Sequence, residues 1–250
     1  SYAVNGGNKD INAKLTADII VNENVLNADG TLNGDGSNFR KWMPIGNDWG
    51  SEISFTGDFD GQNHIVSGLY VNDVNDSYIG LFGAVTTTSG QVANVGVIDS
   101  YFCGDYTIGG VLGYLRSGKI TNCFSICNLN GNYYVGGVVG STYNGSIEDC
   151  YFYDAFFSGV AVGRELGDSV TISGTIGHSD TENFCYGFGT CFYKEATCNT
   201  KEICRVCGNE NGEVDKSNHN ETVAFDNNGF CENGCCEPAT LVTNETYDSL

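Results

Sequence analysis

Two prolines, one methionine, two tryptophans and three histidines are all that 250 residues contain of those types. Basic side chains are also scarce: 11 Lys and Arg stand against 31 Asp and Glu, a formal net charge of -20. So few cations exclude a phosphate backbone or an anionic membrane surface as an expected partner, because either needs a basic face. No run of about 18 apolar residues occurs, and no basic region precedes a short apolar one. The segment is therefore expected neither to insert in a membrane nor to carry its own export signal. Runs of Ala, Leu, Lys and Glu are few, which argues against a helical protein. Gly-x-Ser-x-Gly, His-Glu-x-x-His, Walker and dinucleotide fingerprints are missing, and His64, His178 and His219 are scattered. No local signature of catalysis is present.

What the chain does contain is glycine, 35 residues of it, with 40% hydrophobic and 12% aromatic side chains. That composition can bury a sizeable core, and it favours short strands joined by tight turns. The expected class is all-β.

The glycines are not scattered. Gly80-Leu81-Phe82-Gly83, Gly110-Val111-Leu112-Gly113 and Gly137-Val138-Val139-Gly140 each lead through a polar turn into a second segment. Those segments are Gly90-Gln91-Val92-Ala93-Asn94-Val95, Gly118-Lys119-Ile120-Thr121-Asn122-Cys123 and Gly145-Ser146-Ile147-Glu148-Asp149-Cys150, spaced by 28 and 27 residues. A unit of that size is one coil of a solenoid, which cannot bury its apolar face without neighbours. Stacking predicts an inward ladder of Val95, Cys123 and Cys150 and another of Val92, Ile120 and Ile147. Asn94, Asn122 and Asp149 then fall at successive corners, where Asx side chains satisfy backbone donors. A fainter coil follows around Gly159–Gly163 and Val170–Ile172. Cys103 and Cys127 match no repeated position.

Around the repeats, residues 1–50 read as an irregular first coil or cap, with Ala13–Val21 as a strand, since an open solenoid end must be covered. Ile53–Asn72 reads as strand, turn, strand about Phe59-Asp60-Gly61. From about residue 181 the composition changes, and eight of the twelve cysteines lie between Cys185 and Cys236. The expected domains are thus a solenoid over 1–180 and a small Cys-rich module with a polar linker over 181–250. The module is too poor in Val, Leu and Ile to stand without a covalent or metal staple.

The ordered series Trp42-x-Pro44-Ile45-Gly46, Phe59-Asp60-Gly61-Gln62-x-His64, Gly68-Leu69, Gly80-Leu81-Phe82-Gly83 and Gly-x-Ile-x-Asn-Cys resembles bacterial surface proteins that carry the GLUG motif. The likeness covers roughly residues 10–165. It implies a right-handed parallel β-helix within large secreted, wall-attached or adhesin-like proteins, often in tandem copies, and it brings no catalytic residues. The tail, with Cys198, Cys204-x-x-Cys207-Gly208 and Gly229-Phe230-Cys231, is similar to the Cys-rich spacers of such proteins. Where those spacers usually have Cys-x-x-Cys-Gly, this chain has Cys231-Glu232-Asn233-Gly234-Cys235-Cys236.

Cys204-Arg205-Val206-Cys207-Gly208 has the form of a zinc knuckle. With Cys231 and Cys235 it makes a four-thiolate structural zinc site, with His219 as an alternative ligand; a set of disulfides is the rival reading, as befits a secreted protein. Asp29–Gly36 has the oxygens and glycines of a calcium loop, yet it lacks a distal bidentate Glu and reads as a turn-rich loop. Asp58 and Asp60 do not face one another across a cleft as a glycosidase pair must, and structural Asx bonding is expected of them.

The functional reading is a non-enzymatic extracellular module of a larger surface protein, an adhesin-like or stalk scaffold with neighbouring tandem domains. Tyr101, Tyr106, Tyr133, Tyr134, Tyr143, Tyr151 and Tyr153 offer a platform for a host glycan or surface protein. The alternatives are a carbohydrate-active β-helix, a lyase or hydrolase with only Arg116, Lys119 and Arg164 to stabilise negative charge, and a purely structural spacer.

Overall fold

The computed structural model describes residues 2–47 and 54–178, apart from 154, 155, 158, 168 and 175, and three short strands between 193 and 211. The chain divides into two compact units, Ser1–Phe188 and Gly189–Leu250.

In the first unit twelve strands join into one sheet, and every pairing within it is parallel. Parallel neighbours need a crossover, and here the crossover is the rest of each coil, so the chain winds as a β-solenoid. The three long strands β6 (Phe82–Gly109), β7 (Leu112–Thr121) and β8 (Phe124–Glu148) form its middle. Before them come β1 (Ala13–Lys14), β2 (Ile19–Ile20), β3 (Phe59–Ser67), β4 (Tyr70–Asn72) and β5 (Ser77–Ile79); after them come β9 (Tyr151–Tyr153), β10 (Val160–Glu165), β11 (Thr171–Ser173) and β12 (Ile176–His178). A four-residue helix, α1 (Tyr2–Asn5), is the only helix among the described residues. None is long and apolar enough to cross a membrane.

Register explains the core. Phe59 faces Val92, Val92 faces Ile120, Ile120 faces Ile147 and Ile147 faces Ile172, so one column runs through five layers. Val92, Ile120 and Ile147 are fully buried, as are Val95, Cys123 and Cys150, so both expected inward ladders exist. Aliphatic and aromatic columns fill the rest: Phe82, Leu112, Val139 and Val162 stack in one, and Val71, Phe102 and Leu129 in another. Phe82 sits 5.1 Å from the ring of Phe55 and 5.1 Å from that of Phe59, in tilted and edge aromatic contacts. The faint coil is real: β10 continues the column of Val139, and β11 that of Ile147.

The corners follow the expected Asx rule. Asn94, Asn122 and Asp149 adopt φ of 55°, 52° and 49°, the left-handed region that Asn and Asp tolerate best among residues with a Cβ. Their side chains also join the layers. Asn122 Nδ2 donates to Asn94 Oδ1 at 2.8 Å, and Asn94 Nδ2 donates to Asp60 Oδ1 at 2.8 Å. Asp60, which also accepts from Gln62 N at 3.0 Å, is held below the ordinary carboxylate range mainly by the Asn94 bond.

Two local expectations change. Ala13–Val21 is not one strand: β1 and β2 are two-residue strands on successive sides of a coil, and Asp18 between them accepts from Ile65 N at 3.0 Å. The turn expected about Phe59-Asp60-Gly61 falls just after it: the chain bends within β3 at Gln62 and Asn63, with φ of 52° and 62°, where the register against β6 shifts. Gly61 is there for space, because a Cβ on it would lie 2.3 Å from Asn94 O of the next layer.

The two cysteines without a repeated position are now placed. Cys127 lies opposite Ser100 and is buried, its thiol pushed well above the ordinary value by desolvation; Cys103 lies between Asn72 and Asn130 and is half-buried.

In the second unit, β13 (Tyr193–Lys194), β14 (Glu202–Cys204) and β15 (Glu210–Asn211) make a small antiparallel sheet. Cys204 ends β14, opposite Tyr193. The other members of the expected zinc or disulfide set, Cys207, Cys231 and Cys235, and the alternative ligand His219, lie outside the described residues.

Candidate functional site

An aromatic surface of the solenoid lies beside the glycine rows. Gly113, Gly140 and Gly163 stack on the corner of an earlier turn: a Cβ on Gly113 would lie 2.7 Å from Tyr78 C, one on Gly140 2.5 Å from Thr107 C, and one on Gly163 2.7 Å from Tyr134 C. Those atoms are backbone and cannot move aside, so the second glycine of the Gly-x-x-Gly segments, and Gly163 in the faint coil, are required by close approach. It lets a corner of chain press into the side of the solenoid.

The corner itself is occupied by Tyr78, Thr107 and Tyr134, at φ of 62°, 55° and 56°. They stand in adjacent layers, because Ser77, Tyr106 and Tyr133 precede them in register and Ile79, Ile108 and Val135 follow. Tyr78 N donates to Thr107 Oγ1 of the next layer at 3.1 Å. Left-handed backbone costs a bulky or β-branched residue about 1–2 kcal/mol. At the Asx corner the chain avoids that cost, and here it does not.

Immediately after the glycines runs a second column: Ala84 faces Tyr114, Tyr114 faces Ser141, and Ser141 faces Arg164. Between the two columns is a shallow groove of about 260 Å³ walled by Tyr78, Tyr106, Tyr114 and Tyr134. Ser77, Thr107, Ser141 and Leu166 complete its lining. Tyr106 stacks on Tyr133 with ring centroids 4.5 Å apart and an interplanar angle of 14°, and Tyr134 lies 5.9 Å from Tyr106. Tyr78 meets Tyr114 edge-on at 6.1 Å. Tyr106 and Tyr133 keep 39% and 51% of their surface in solvent, so the groove is open. Desolvation first, then the neighbouring phenols and Asp105, raises Tyr106 above the ordinary 10.0; desolvation also raises Tyr114. Both phenols therefore remain donors at neutral pH.

Arg164 stands beside the groove, on the rung next to Ser141. Its guanidinium carbon sits 4.3 Å from the centroid of the Tyr134 ring, and Nη1 donates to the Tyr134 hydroxyl. Among the described residues the ion pairs are His64 with Asp18 and Lys119 with Glu148, at 3.1 and 2.6 Å. Arg164 belongs to neither.

Of the seven tyrosines expected to form a platform, the structure gathers Tyr106, Tyr133 and Tyr134. Tyr101 instead stacks on Tyr70 at 6.1 Å, and Tyr153 meets Phe156 edge-on at 4.9 Å. Tyr143 is 46% exposed, and Tyr151 is half-buried. Tyr78 and Tyr114 were missing from that set, although a signal existed: Tyr78 precedes Gly80 by two residues as Tyr134 precedes Gly136, and Tyr114 follows Gly113 as Arg164 follows Gly163.

The remaining candidates have structural partners. Asp58 Oδ1 accepts from Gln91 N at 3.0 Å, and Asp60 belongs to the corner ladder. Asp29 and Asp35 each accept from a backbone N–H two residues on, Thr31 at 3.0 Å and Ser37 at 2.9 Å, as Asx turns do. A second depression of about 340 Å³, bounded by Gly90, Gly118, Lys119 and Asn144, contains a lysine already paired with Glu148. Arg116 is exposed.

Fold and register define a β-solenoid repeat protein. Within it, residues 131–152 match the GLUG motif family model, so the chain carries that motif as the resemblance implied. The matched stretch holds Tyr134, the Gly137-Val138-Val139-Gly140 segment and the Asx corner at Asp149, and the two preceding turns share its register. No curated protein and no solved structure matches the chain.

Proposed function

We propose that this chain is a non-enzymatic extracellular module of a larger bacterial cell-surface protein, a stiff solenoid that docks a glycan on its tyrosine face. The observation that carries the reading is the groove: four tyrosines from three consecutive turns converge there, two of them, Tyr78 and Tyr134, at corners whose left-handed backbone is costly for a bulky residue. A parallel ladder continuous from β3 to β11 holds those rings at fixed spacing, as a binding platform requires. The GLUG motif supports the surface setting through the proteins the chain resembles, and tandem neighbours in the same chain are part of that proposal.

A glycan array probed with the labelled module tests it, with Tyr106→Ala as the control variant. Tyr106 is exposed and is not a corner residue, so its loss is expected to leave the unfolding free energy within about 1 kcal/mol of wild type while reducing glycan signal at least about tenfold. Uniform absence of signal, or signal indifferent to Tyr106, counts against the reading.

The Cys-rich unit is proposed to be stapled by zinc or by disulfides. Zinc content measured together with free-thiol count decides between them. About one zinc per chain, with thiols reactive only after chelation, selects the metal; blocked thiols without zinc select disulfides.

A further inference from the structure

We infer that the groove selects a sugar bearing a single carboxylate, with Arg164 as the anion-binding residue. The inference rests on the reading of the tyrosine face as a glycan-docking surface, and it specifies the ligand class.

Arg164 is the starting point. In a chain with 31 acidic and 11 basic residues, a guanidinium is expected to find a carboxylate easily. Among the described residues none lies within ion-pair distance of it; the group is held instead by the face and hydroxyl of Tyr134. Only one of its N–H donors is engaged there, which leaves a fork suited to bidentate contact with a carboxylate. Its position in the column of Tyr114 and Ser141 sets it at the groove's rim, on the rung beyond Ser141.

A sugar fits the rest better than a peptide. Ser77 and Tyr133 both pair with Tyr106 in the sheet, so the strand beneath the groove has no free edge for an added strand. The lining is mainly hydroxyl and aromatic: Ser77, Thr107 and Ser141 with the four tyrosines, and one aliphatic side chain, Leu166. A pyranose presents an apolar C–H face to rings and hydroxyls to hydroxyls. The volume of about 260 Å³ falls below the usual range for drug-sized ligands, as one sugar residue requires. The net charge of -20 opposes polyanions at long range, so the ligand carries an isolated acidic sugar and is not a polyuronide.

The test is titration calorimetry of the full chain with 3′-sialyllactose, with a glucuronic acid-capped disaccharide, with the methyl ester of each, and with lactose. The expected result is binding of at least one acid at least about tenfold tighter than its ester and than lactose, with Arg164→Gln abolishing that preference. Which acid binds identifies the source of the carboxylate. If the acid and its ester bind alike, or if Arg164→Gln keeps the preference, the inference is overturned while the glycan-docking reading survives. If no sugar binds, both fall. The acid and ester comparison uses the wild-type chain, so it decides the matter even if Arg164→Gln fails to fold.

Discussion

Asn122 shows what a single residue contributes here. It holds φ at 52°, which Asn tolerates, and its amide donates to Asn94 in the next layer. Asn122→Ala is expected to destabilise the fold by about 1–2 kcal/mol, and Asn122→Gly by less, in denaturant unfolding. Thr142 is the opposite case. It stands fully buried in the column of Val85 and Leu115, with no hydrogen-bond partner for Oγ1. Thr142→Val keeps the shape and removes the buried hydroxyl, so a gain of about 1 kcal/mol is expected. Two aspartates give pH effects of opposite sign. The folded-state value of Asp60 lies below 3.8, held there first by Asn94, so its contribution is complete above 3.8 and lost as pH falls through the folded value. Asp99 lies above 3.8 because burial outweighs the bonds it accepts from Leu26 N and Val25 N, so its contribution is present below 3.8 and lost as pH rises through the folded value. On acidification the wild type should therefore lose stability relative to Asp60→Asn and gain it relative to Asp99→Asn.

At the scale of elements, two rows of glycine and two kinds of corner make the coil. Gly113→Ala places a methyl 2.7 Å from Gly83 O and Tyr78 C, and the expected loss is about 2–3 kcal/mol or failure to fold. Gly34→Ala, at φ 70° with nothing within 4 Å, tests conformation alone and should cost only about 1 kcal/mol. Coil length, both inward ladders and the Asx corner were legible in the sequence because each depends on one residue type recurring once per turn. The breaks in the first coil were not, because β1 and β2 are set by the register of β3 and by the Asp18 carboxylate, not by their own alternation. The groove was half legible. Adjacent tyrosines such as Tyr133 and Tyr134 announce themselves, whereas Tyr78, Tyr114 and Arg164 come together only once the columns on either side of the glycine row are aligned.

For the whole molecule, stability is a sum over layers that each lean on the next. Removing residues 112–138, one full turn, brings Val139 to the position of its own register partner Leu112 and should yield a shorter folded solenoid; removing half that length should not. Circular dichroism and cooperative unfolding report the difference. In the proposed function the stack holds the tyrosine groove against a sugar. The most direct measurement is a tyrosine-selective NMR titration with the acidic sugar. The rings of Tyr78, Tyr106, Tyr114 and Tyr134 should shift together with one affinity while those of Tyr70 and Tyr101 stay still. Shifts confined to tyrosines away from the groove, or no shift at saturating sugar, would contradict it.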